Sequence, residues 1–394
     1  MFIERFLTLP ANRSVWLWGP RQTGKSCWLQ RHLSAAPLLD LLKSDVFAEY
    51  AARPALLRER AQSAAWRRGQ ETVVIDEVQR VPALLDEVHW LIENRGLQFV
   101  LTSSSARKLR RSHANLLAGR AWRRELRPFC LGELWAEPAP PGLPVFDLER
   151  CFASGLLPPH YLSSAAEEDM RAYVADYLRE EIAAEAQVRN LPAFSEFLRV
   201  AALTSAELLN YANVAREAGV SAKVVRGYFE ILEDTLLGRR LGPWRKSQNR
   251  RLILTEKFYL FDVGVMNYLA RRAPKAGTPE FGKSFEQLVW QELLAYQAYR
   301  APHLELTFWR TSTGQEVAFV VNDKQLALEV KASARLYPAD LRGLTALAED
   351  GAVRRRLIVA GTTEPQALAD QFGQVEALPL RAFVEALWAG ELLR

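Results

Sequence analysis

The sequence predicts an α/β fold in three parts: a parallel sheet with covering helices, a helical middle segment and a second α/β segment. Short apolar runs alternate with helical patterns over residues 15–102, a proline-rich break lies at 137–144, and a basic break lies at 271–277. At about 150 residues per domain, 394 residues fit two or three domains. We expect domains at 1–136, 146–270 and 278–394.

The first apolar run, residues 15–18, ends at a glycine and is followed by a helical pattern over 25–33. Further strand patterns lie at 38–42, 72–75 and 97–102, with helical patterns such as 83–93 between them. Strands and helices that alternate at this length predict a parallel sheet with both faces covered. Polar residues follow three of these strands, and open parallel sheets bind ligands at that carboxyl edge.

The loop after the first strand has the composition of a phosphate-binding loop. Gly19-Pro20-Arg21-Gln22-Thr23-Gly24-Lys25-Ser26 matches G-x-x-x-x-G-K-[ST] in full. Its glycines let backbone N–H groups surround phosphates, Lys25 reaches the terminal phosphates, and the Ser26 hydroxyl is a ligand for Mg²⁺. With Cys27, the next residue along the helix, these residues form the predicted nucleotide and Mg²⁺ site.

Acidic and hydroxyl side chains end two later strands. Asp76 is placed to complete the Mg²⁺ site, and Glu77 is placed to orient water for in-line phosphoryl transfer. An acidic pair after apolar residues is otherwise a solvated strand end, but this pair follows a full phosphate loop. Thr102 and Ser103 are either sensors of the γ-phosphate or the polar start of a loop.

Four segments carry a resemblance to a known family. The phosphate loop, Ile-Asp-Glu-Val-Gln at 75–79, Leu-Thr-Ser-Ser-Ser at 101–105 and Leu-Ala-Gly-Arg at 117–120 together resemble prokaryotic AAA-type ATPases with a C-terminal domain of unknown function, the AAA_14/DUF4143 group. The resemblance covers essentially the whole chain and implies ATP as the nucleotide and ATP hydrolysis as the activity. A glycine usually stands at the position of Ser103, a departure that concerns sensing geometry and not ATP binding.

Arg120 has two interpretations. As an arginine finger it donates bidentate hydrogen bonds to transition-state phosphate oxygens of a neighbouring subunit, which requires a homo-oligomer, with a hexamer as one form. Alternatively, it belongs with Arg123 and Arg124 to a basic strip that meets a polyanion or nearby acids.

The net charge of +5, from 51 basic and 46 acidic residues, is unevenly distributed. Between residues 107 and 127 there are eight basic residues and one acid, and between 239 and 251 there are six basic residues and no acid.

A composition of 49% hydrophobic and 25% charged residues excludes a disordered or fibrous chain. Three separated cysteines fit neither a disulfide framework nor a zinc site. No signal peptide or membrane-spanning run is expected, and a cytoplasmic location is the default.

The middle segment has the spacing of a helix-turn-helix, with helical patterns over 208–218 and 222–237 around Gly219-Val220-Ser221. It resembles the winged-helix part of the same family, with residues 239–251 in or beside the wing. One interpretation places DNA phosphates along this surface, and the other is a packing module, because the second helix is rich in apolar residues. The basic residues expected on DNA are Lys223, Arg226, Arg239, Arg240, Arg245 and Lys246.

The C-terminal segment has a helix over 285–299 and strand patterns at 304–310, 316–321, 325–330 and 357–360. Glu286, Glu329 and Lys331 resemble the PD-(D/E)xK restriction-nuclease core, in which acids bind Mg²⁺ and the lysine positions water. Ala318 stands where that core needs its aspartate. Glu316 lies on the same strand face but about 6 to 7 Å away. We therefore expect a nuclease-like fold without cleavage activity, kept for packing or for binding nucleic acid.

These observations predict a Mg²⁺-dependent AAA-type ATPase that moves its domains through ATP hydrolysis and acts on DNA as an oligomer. Two alternatives stay open: a nucleotide-controlled signalling or scaffold switch that binds a protein partner, and an ATP-gated nuclease.

Overall fold

The structure, a computed structural model, describes residues 1–63, 71–104, 117, 119–181, 188, 190–246 and 250–393, without the side chains of 179–181. The α/β class expected from the sequence is confirmed: the N-terminal sheet is parallel and the C-terminal sheet is mixed. The winged-helix and nuclease-like assignments stay predictions.

The N-terminal sheet has five parallel strands in the order β2-β3-β4-β1-β5. The strands are β1 (Ser14–Trp18), β2 (Leu38–Asp40), β3 (Thr72–Asp76), β4 (Gln98–Ser103) and β5 (Ala121–Glu125). The described helices between them are α1 (Lys25–His32), α2 (Ser44–Ala52), α3 (Leu56–Ala61) and α4 (Leu84–Arg95).

Burial on both faces explains why short apolar runs became the central strands. Val15, Trp16 and Leu17 are at most 1% exposed, and Trp16 and Leu17 pack into separate hydrophobic clusters. The fifth strand was not predicted, because Ala121–Glu125 has no apolar run and lies at the sheet edge, with only β1 beside it. We had interpreted these residues only as part of a basic strip.

The middle segment is mainly helical, as predicted. Its helices, after the short α5 (Leu131–Leu134), are α6 (Leu148–Ser154), α7 (Pro158–Tyr161), α8 (Ala166–Ala172), α9 (Leu191–Leu203), α10 (Tyr211–Glu217), α11 (Ala222–Asp234) and α12 (Val263–Leu269). α8 continues as a π-helix over Tyr173–Glu181.

The helix-turn-helix elements are present as α10 and α11. Gly219 turns the chain with a positive φ of 66°, and the Ser221 hydroxyl caps α11 by accepting a hydrogen bond from the Val224 N–H at 3.3 Å. Antiparallel strands β6 (Gly238–Leu241) and β7 (Lys257–Leu260) follow the second helix.

The C-terminal segment forms a six-stranded mixed sheet in the order β12-β13-β11-β10-β9-β8. Its elements are α13 (Pro279–Tyr299), β8 (Leu306–Arg310), β9 (Glu316–Val321), β10 (Leu326–Lys331), α14 (Arg342–Glu349), β11 (Arg355–Ala360), β12 (Gln366–Asp370), β13 (Gly373–Pro379) and α15 (Leu380–Trp388). The first elements follow the order that the sequence patterns predict: a helix, three antiparallel strands, a helix and a parallel strand. The last three elements, β12, β13 and α15, were not predicted.

One hydrophobic cluster runs through both the middle and the C-terminal segments. Tyr259 of β7 stacks on Trp290 of α13 with ring centroids 4.7 Å apart, and Trp290 stacks on Phe319 of β9 at 5.9 Å. The two segments therefore share this core, and the C-terminal sheet packs a second, separate cluster that includes Val317, Leu344 and Ile358.

Candidate active site

The phosphate loop lies between β1 and α1, and two of its glycines are required by their surroundings. A Cβ atom on Gly19 would approach the Leu126 carbonyl oxygen to 2.4 Å, and Gly24 adopts a left-handed φ of 92°. The loop thus has the compact shape that directs backbone N–H groups inward.

Lys25 is buried inside this loop. Its ammonium donates hydrogen bonds to the carbonyl oxygens of Gly19 at 2.7 Å and Pro20 at 2.9 Å. Burial lowers the pKa of Lys25, and the nearby carboxylates of Glu77 and Asp76 oppose this shift in part. The side chain is held where the loop would receive phosphates.

The proposed metal ligands Ser26 and Asp76 are in contact. The Ser26 hydroxyl donates a hydrogen bond to Asp76 Oδ2 at 2.7 Å, and the Thr102 hydroxyl donates to Asp76 Oδ1. Asp76 is only 3% exposed. A hydroxyl and a carboxylate beside a phosphate loop are oxygen ligands that suit Mg²⁺, so these residues fit the ion.

Glu77 has a left-handed backbone, with φ 58° and ψ 46°. Its N–H donates to Thr102 Oγ1 at 2.9 Å, so Thr102 contacts both acids. The Glu77 carboxylate accepts hydrogen bonds from the Gln79 amide and, at 3.3 Å, from the Ser104 hydroxyl. Sequence reasoning missed Gln79 and Ser104, because the turn at Glu77 is what brings them to the carboxylate.

Of the two candidate sensors, Thr102 contacts the acids, whereas Ser103 is fully buried opposite Trp18 in the sheet register. Neither sensing role is tested by this arrangement.

A cleft of about 430 Å³ opens over the loop. Its floor includes Arg21, Gln22, Lys25, Ser26, Cys27 and Glu77, and its opposite wall is Ala172, Tyr173, Asp176 and Tyr177 of the middle segment. The Arg21 guanidinium lies over the Tyr177 ring, 5.5 Å from its centroid. The π-helical part of the helix therefore covers the candidate nucleotide site.

Arg120 lies at the amino end of the parallel strands, whereas the phosphate loop lies at their carboxyl end. Arg120 precedes Ala121, which pairs with Ser14 at the start of β1, so the length of β1, about 16 Å, separates it from the loop. Its guanidinium forms an ion pair with Glu93 near the end of α4. Arg120 is thus remote from the phosphate loop of its own chain. Arg107, Lys108, Arg110 and Arg111 of the same strip lie outside the described residues.

Basic residues on the second helix of the helix-turn-helix are exposed. Lys223 and Arg226 point outward with Val224, and the Arg226 guanidinium lies 4.9 Å from the centroid of the Tyr211 ring. No contact in the structure tests whether they bind DNA.

The predicted wing residues mostly contact polar groups of the chain itself. Arg240 pairs with Glu233 and, at 3.5 Å, with Glu256, and Lys246 pairs with Asp323 at 2.7 Å. Arg239 donates to the Gln297 side chain at 2.7 Å. Arg245 is exposed. Trp244 is 7% exposed and packs on the C-terminal sheet, where its backbone N–H donates to the Phe308 carbonyl at 2.6 Å.

The nuclease-like residues form ion pairs with two lysines. Glu329 pairs with Lys331 at 3.1 Å, while Glu286 and Glu316 lie 3.4 and 2.5 Å from the ammonium of Lys257. Among the described residues, no group of three His, Cys, Asp or Glu side chains has the arrangement of a metal site. With Ala318 in place of an acid and an ammonium between the carboxylates, the residues present do not fit a divalent cation.

Burial and charge oppose each other in this cluster. Burial lowers the pKa of Lys257, but the carboxylates of Glu286 and Glu316 outweigh it, and the net pKa is raised. Burial raises the pKa of Glu329, and Lys331 opposes the shift. Nothing in the local sequence around Lys257 indicated this role.

Within the described residues, no helix has the length and apolar character needed to span a membrane.

Three family models match consecutive parts of the chain. They are an AAA domain over residues 11–135, a domain of unknown function, DUF8612, over 145–276, and a domain of unknown function, DUF4143, over 281–383.

The chain is also similar to uncharacterized proteins of Mycobacterium bovis and Mycobacterium tuberculosis. Each is 26% identical over 339 residues, which cover 83% of this chain and 70% of the relative. A crystal structure of a Signal Transduction ATPase with Numerous Domains from Pyrococcus horikoshii, with a tetratricopeptide repeat sensor, matches at 12% identity and a TM-score of 0.21. That match covers 73% of this chain, which spans about half, 47%, of the Pyrococcus protein. The TM-score is too low to indicate a shared overall fold.

The phosphate loop on a parallel sheet agrees with the AAA match, and the mixed sheet coincides with the DUF4143 match. Together they support an AAA-type ATPase with a DUF4143 C-terminal domain.

Proposed function

We propose that the chain hydrolyses ATP in a Mg²⁺-dependent reaction at the phosphate loop. The observation that carries this proposal is the connected chain of Ser26, Asp76, Thr102 and Glu77, which joins two metal-ligand candidates to the acid that would orient water. The AAA match over residues 11–135 supports the same site.

On binding ATP, the Lys25 ammonium exchanges the carbonyls of Gly19 and Pro20 for terminal phosphate oxygens. Ser26 and Asp76 would hold Mg²⁺, which would supply positive charge to neutralise the phosphates. Glu77 orients the attacking water, and Gln79 and Ser104 hold its carboxylate in place before the nucleotide arrives.

The catalytic role of Glu77 is tested by Glu77→Gln, which keeps the side-chain size and removes the charge. We expect steady-state hydrolysis to fall by about 100-fold or more, with ATP binding retained. Asp86→Asn, which neutralises an exposed acid on α4, should hydrolyse ATP at the parental rate. A Glu77→Gln protein that hydrolyses ATP as fast as the parent would refute the assigned role.

ATP-driven rearrangement, as proposed here, moves the N-terminal domain against the rest of the chain. The middle and C-terminal segments share a core, so separating them would expose apolar surface at a high cost in free energy. Tyr173, Asp176 and Tyr177 already contact the nucleotide cleft, which gives the middle segment a direct response to ligand. Cross-linking Arg21→Cys to Tyr177→Cys should block turnover if this contact must open.

DNA is a second candidate partner, favoured by the outward position of Lys223 and Arg226 on α11. The pairing of Arg240 and Lys246 with acids weakens the contribution of the wing. A protein-binding switch is the alternative, and it fits an exposed helix that carries Val224 between the two cations. An ATP-gated nuclease is disfavoured by the poor fit of the Glu286, Glu329 and Lys331 cluster to a metal.

A further inference from the structure

The carboxylate cluster of the C-terminal sheet is built around a lysine from another part of the chain. Lys257 begins β7 in the middle segment, whereas Glu286 lies on α13 and Glu316 on β9. The Lys257 side chain is only 3% exposed, and its ammonium also lies 5.5 Å from the centroid of the Phe308 ring. The buried ammonium of the middle segment therefore pairs with two carboxylates of the C-terminal segment and connects the two segments.

The acids of this cluster already have cations and hydrogen-bond donors. Both oxygens of Glu316 are engaged, Oε1 by Lys257 and Oε2 by Arg310 at 2.6 Å. Glu329 accepts from Lys331 and, at 3.3 Å, from the Ala318 N–H. Glu286 Oε1 accepts from Tyr259 at 2.6 Å besides its contact with Lys257.

The charges within the cluster balance. Three acids, Glu286, Glu316 and Glu329, face three bases, Lys257, Arg310 and Lys331. A divalent cation would add two positive charges to a neutral group and compete with an ammonium that is fixed by the fold. The strand aspartate that would favour the ion is replaced by Ala318.

We infer that the Lys257 ammonium takes the place of a divalent cation among Glu286 and Glu316 and turns this cluster into a latch between the middle and C-terminal segments. Cations compete for the same carboxylate oxygens, so a metal can enter only if the lysine is removed. This inference does not depend on ATP hydrolysis.

The first test measures Mn²⁺ binding by electron paramagnetic resonance without nucleotide. An Asp76→Asn background removes the proposed metal ligand at the phosphate loop. We expect no binding to the cluster up to about 1 mM Mn²⁺ in this background, because hard cations need free carboxylate oxygens. Submillimolar binding that Glu329→Gln abolishes would overturn the inference.

The second test compares Ala318→Asp with Lys257→Met/Ala318→Asp in the same background. The double variant should bind one Mn²⁺ per chain at least tenfold more tightly than Ala318→Asp, because only it frees the cation position. Equal affinity of the two proteins, or no binding by the double variant, would contradict the inference. If the methionine protein does not fold, Lys257→Gln serves in its place, since glutamine keeps a hydrogen-bond donor for Glu316.

The latch itself is tested by thermal unfolding. Lys257→Met should lower Tm by more than about 5 °C, because it removes the buried ammonium from half-buried Glu286 and leaves Glu316 with Arg310 alone. The matched control is Lys246→Met, in the loop before β7, which breaks an exposed ion pair with Asp323. It should shift Tm by less than about 2 °C. Equal shifts for the two variants would count against a latch.

Discussion

Arg5 donates a hydrogen bond to the backbone carbonyl of Thr23, 2.9 Å away, inside the phosphate loop. The same guanidinium pairs with Glu133 at 2.9 Å and donates to the Tyr299 hydroxyl at 3.3 Å. Arg5 is 6% exposed. One buried cation therefore links the loop to α5 and to the C-terminal end of α13, which belongs to the DUF4143 match.

We expect Arg5→Ala to weaken both folding and nucleotide binding. Removing the guanidinium leaves Glu133 buried without a counter-ion, which costs about 3 kcal/mol. It also releases the Thr23 carbonyl, so ATP affinity should fall by about tenfold. Urea unfolding and titration with a fluorescent ATP analogue measure the two effects.

Arg31→Ala on the exposed side of α1 is the control for Arg5 and should leave both quantities near the parental values. If the Arg5→Ala protein is folded and binds the analogue as tightly as the parent, the proposed link to the loop is wrong.

Thr102 is expected to matter because one hydroxyl contacts both acids. Thr102→Val keeps the shape and removes the hydrogen bonds to Asp76 and to the Glu77 N–H. We expect kcat to fall by about tenfold or more and the Mg²⁺ concentration for half-maximal rate to rise. Thr102→Ser, which keeps the hydroxyl, should stay close to the parent in both measurements, and a serine variant as slow as the valine variant would argue for packing instead.

The position of Arg120 makes an action in trans testable by mixing. Lys25→Ala removes nucleotide binding in one set of subunits, and Arg120→Ala removes the finger in the other. If the finger acts between subunits, equal mixing of the two inactive proteins should restore about a quarter of the parental rate, because that share of interfaces pairs an intact loop with an intact finger.

The mixed sample is compared with each variant alone and with an Arg123→Ala protein, which alters an exposed residue of the strand that follows Arg120. No recovery on mixing, or full activity of Arg120→Ala alone, would refute an action of Arg120 in trans.

DNA contact through α11 predicts a defined salt dependence. Lys223→Ala/Arg226→Ala should weaken duplex binding and reduce the slope of log K against log salt by about 2, about one for each lost phosphate contact. Lys246→Ala, whose ammonium already pairs with Asp323, should change the slope less. If the parent binds no duplex at low salt, DNA contact is refuted and the protein-binding switch is favoured.

Local patterns predicted the central strands and the phosphate loop because the causes are themselves local. The run at 15–18 is apolar since β1 is buried on both faces, and the loop needs Gly19 and Gly24 for reasons within a few residues. The edge strand β5 was not predicted, because it has no apolar run and β1 is its one neighbour in the sheet.

Contacts between distant residues could not be predicted in this way. Arg5 and Lys257 are single basic residues whose neighbours in sequence form no recognisable motif, and the acids that pair with them lie far along the chain. One of the two interpretations of the segment that contains the basic run at 239–251 is a surface for DNA, yet Lys246 pairs with Asp323 in the folded chain. A run of basic residues in the sequence shows where the cations lie along the chain. It does not show which acidic residues the fold places beside them.

Glu292 of α13 predicts a pH dependence of stability. It is 1% exposed and accepts hydrogen bonds from the Leu131 N–H at 2.7 Å, the Gly132 N–H at 3.1 Å and Trp388 Nε1 at 2.5 Å. Burial raises its pKa from 4.5 to about 7, against the effect of these donors.

Because the folded pKa is above the unfolded one, the stability from Glu292 is fully present below about pH 4.5 and is lost as pH rises through about 7. The parent should therefore lose up to roughly 3 kcal/mol of unfolding free energy between pH 5 and 8 that Glu292→Gln does not lose. Urea unfolding of both proteins at several pH values measures this difference, in which other titrating groups cancel. Glu385→Gln, an exposed acid on α15, should follow the parental profile, and a Glu292→Gln profile parallel to the parent would show that Glu292 stays ionised in the fold.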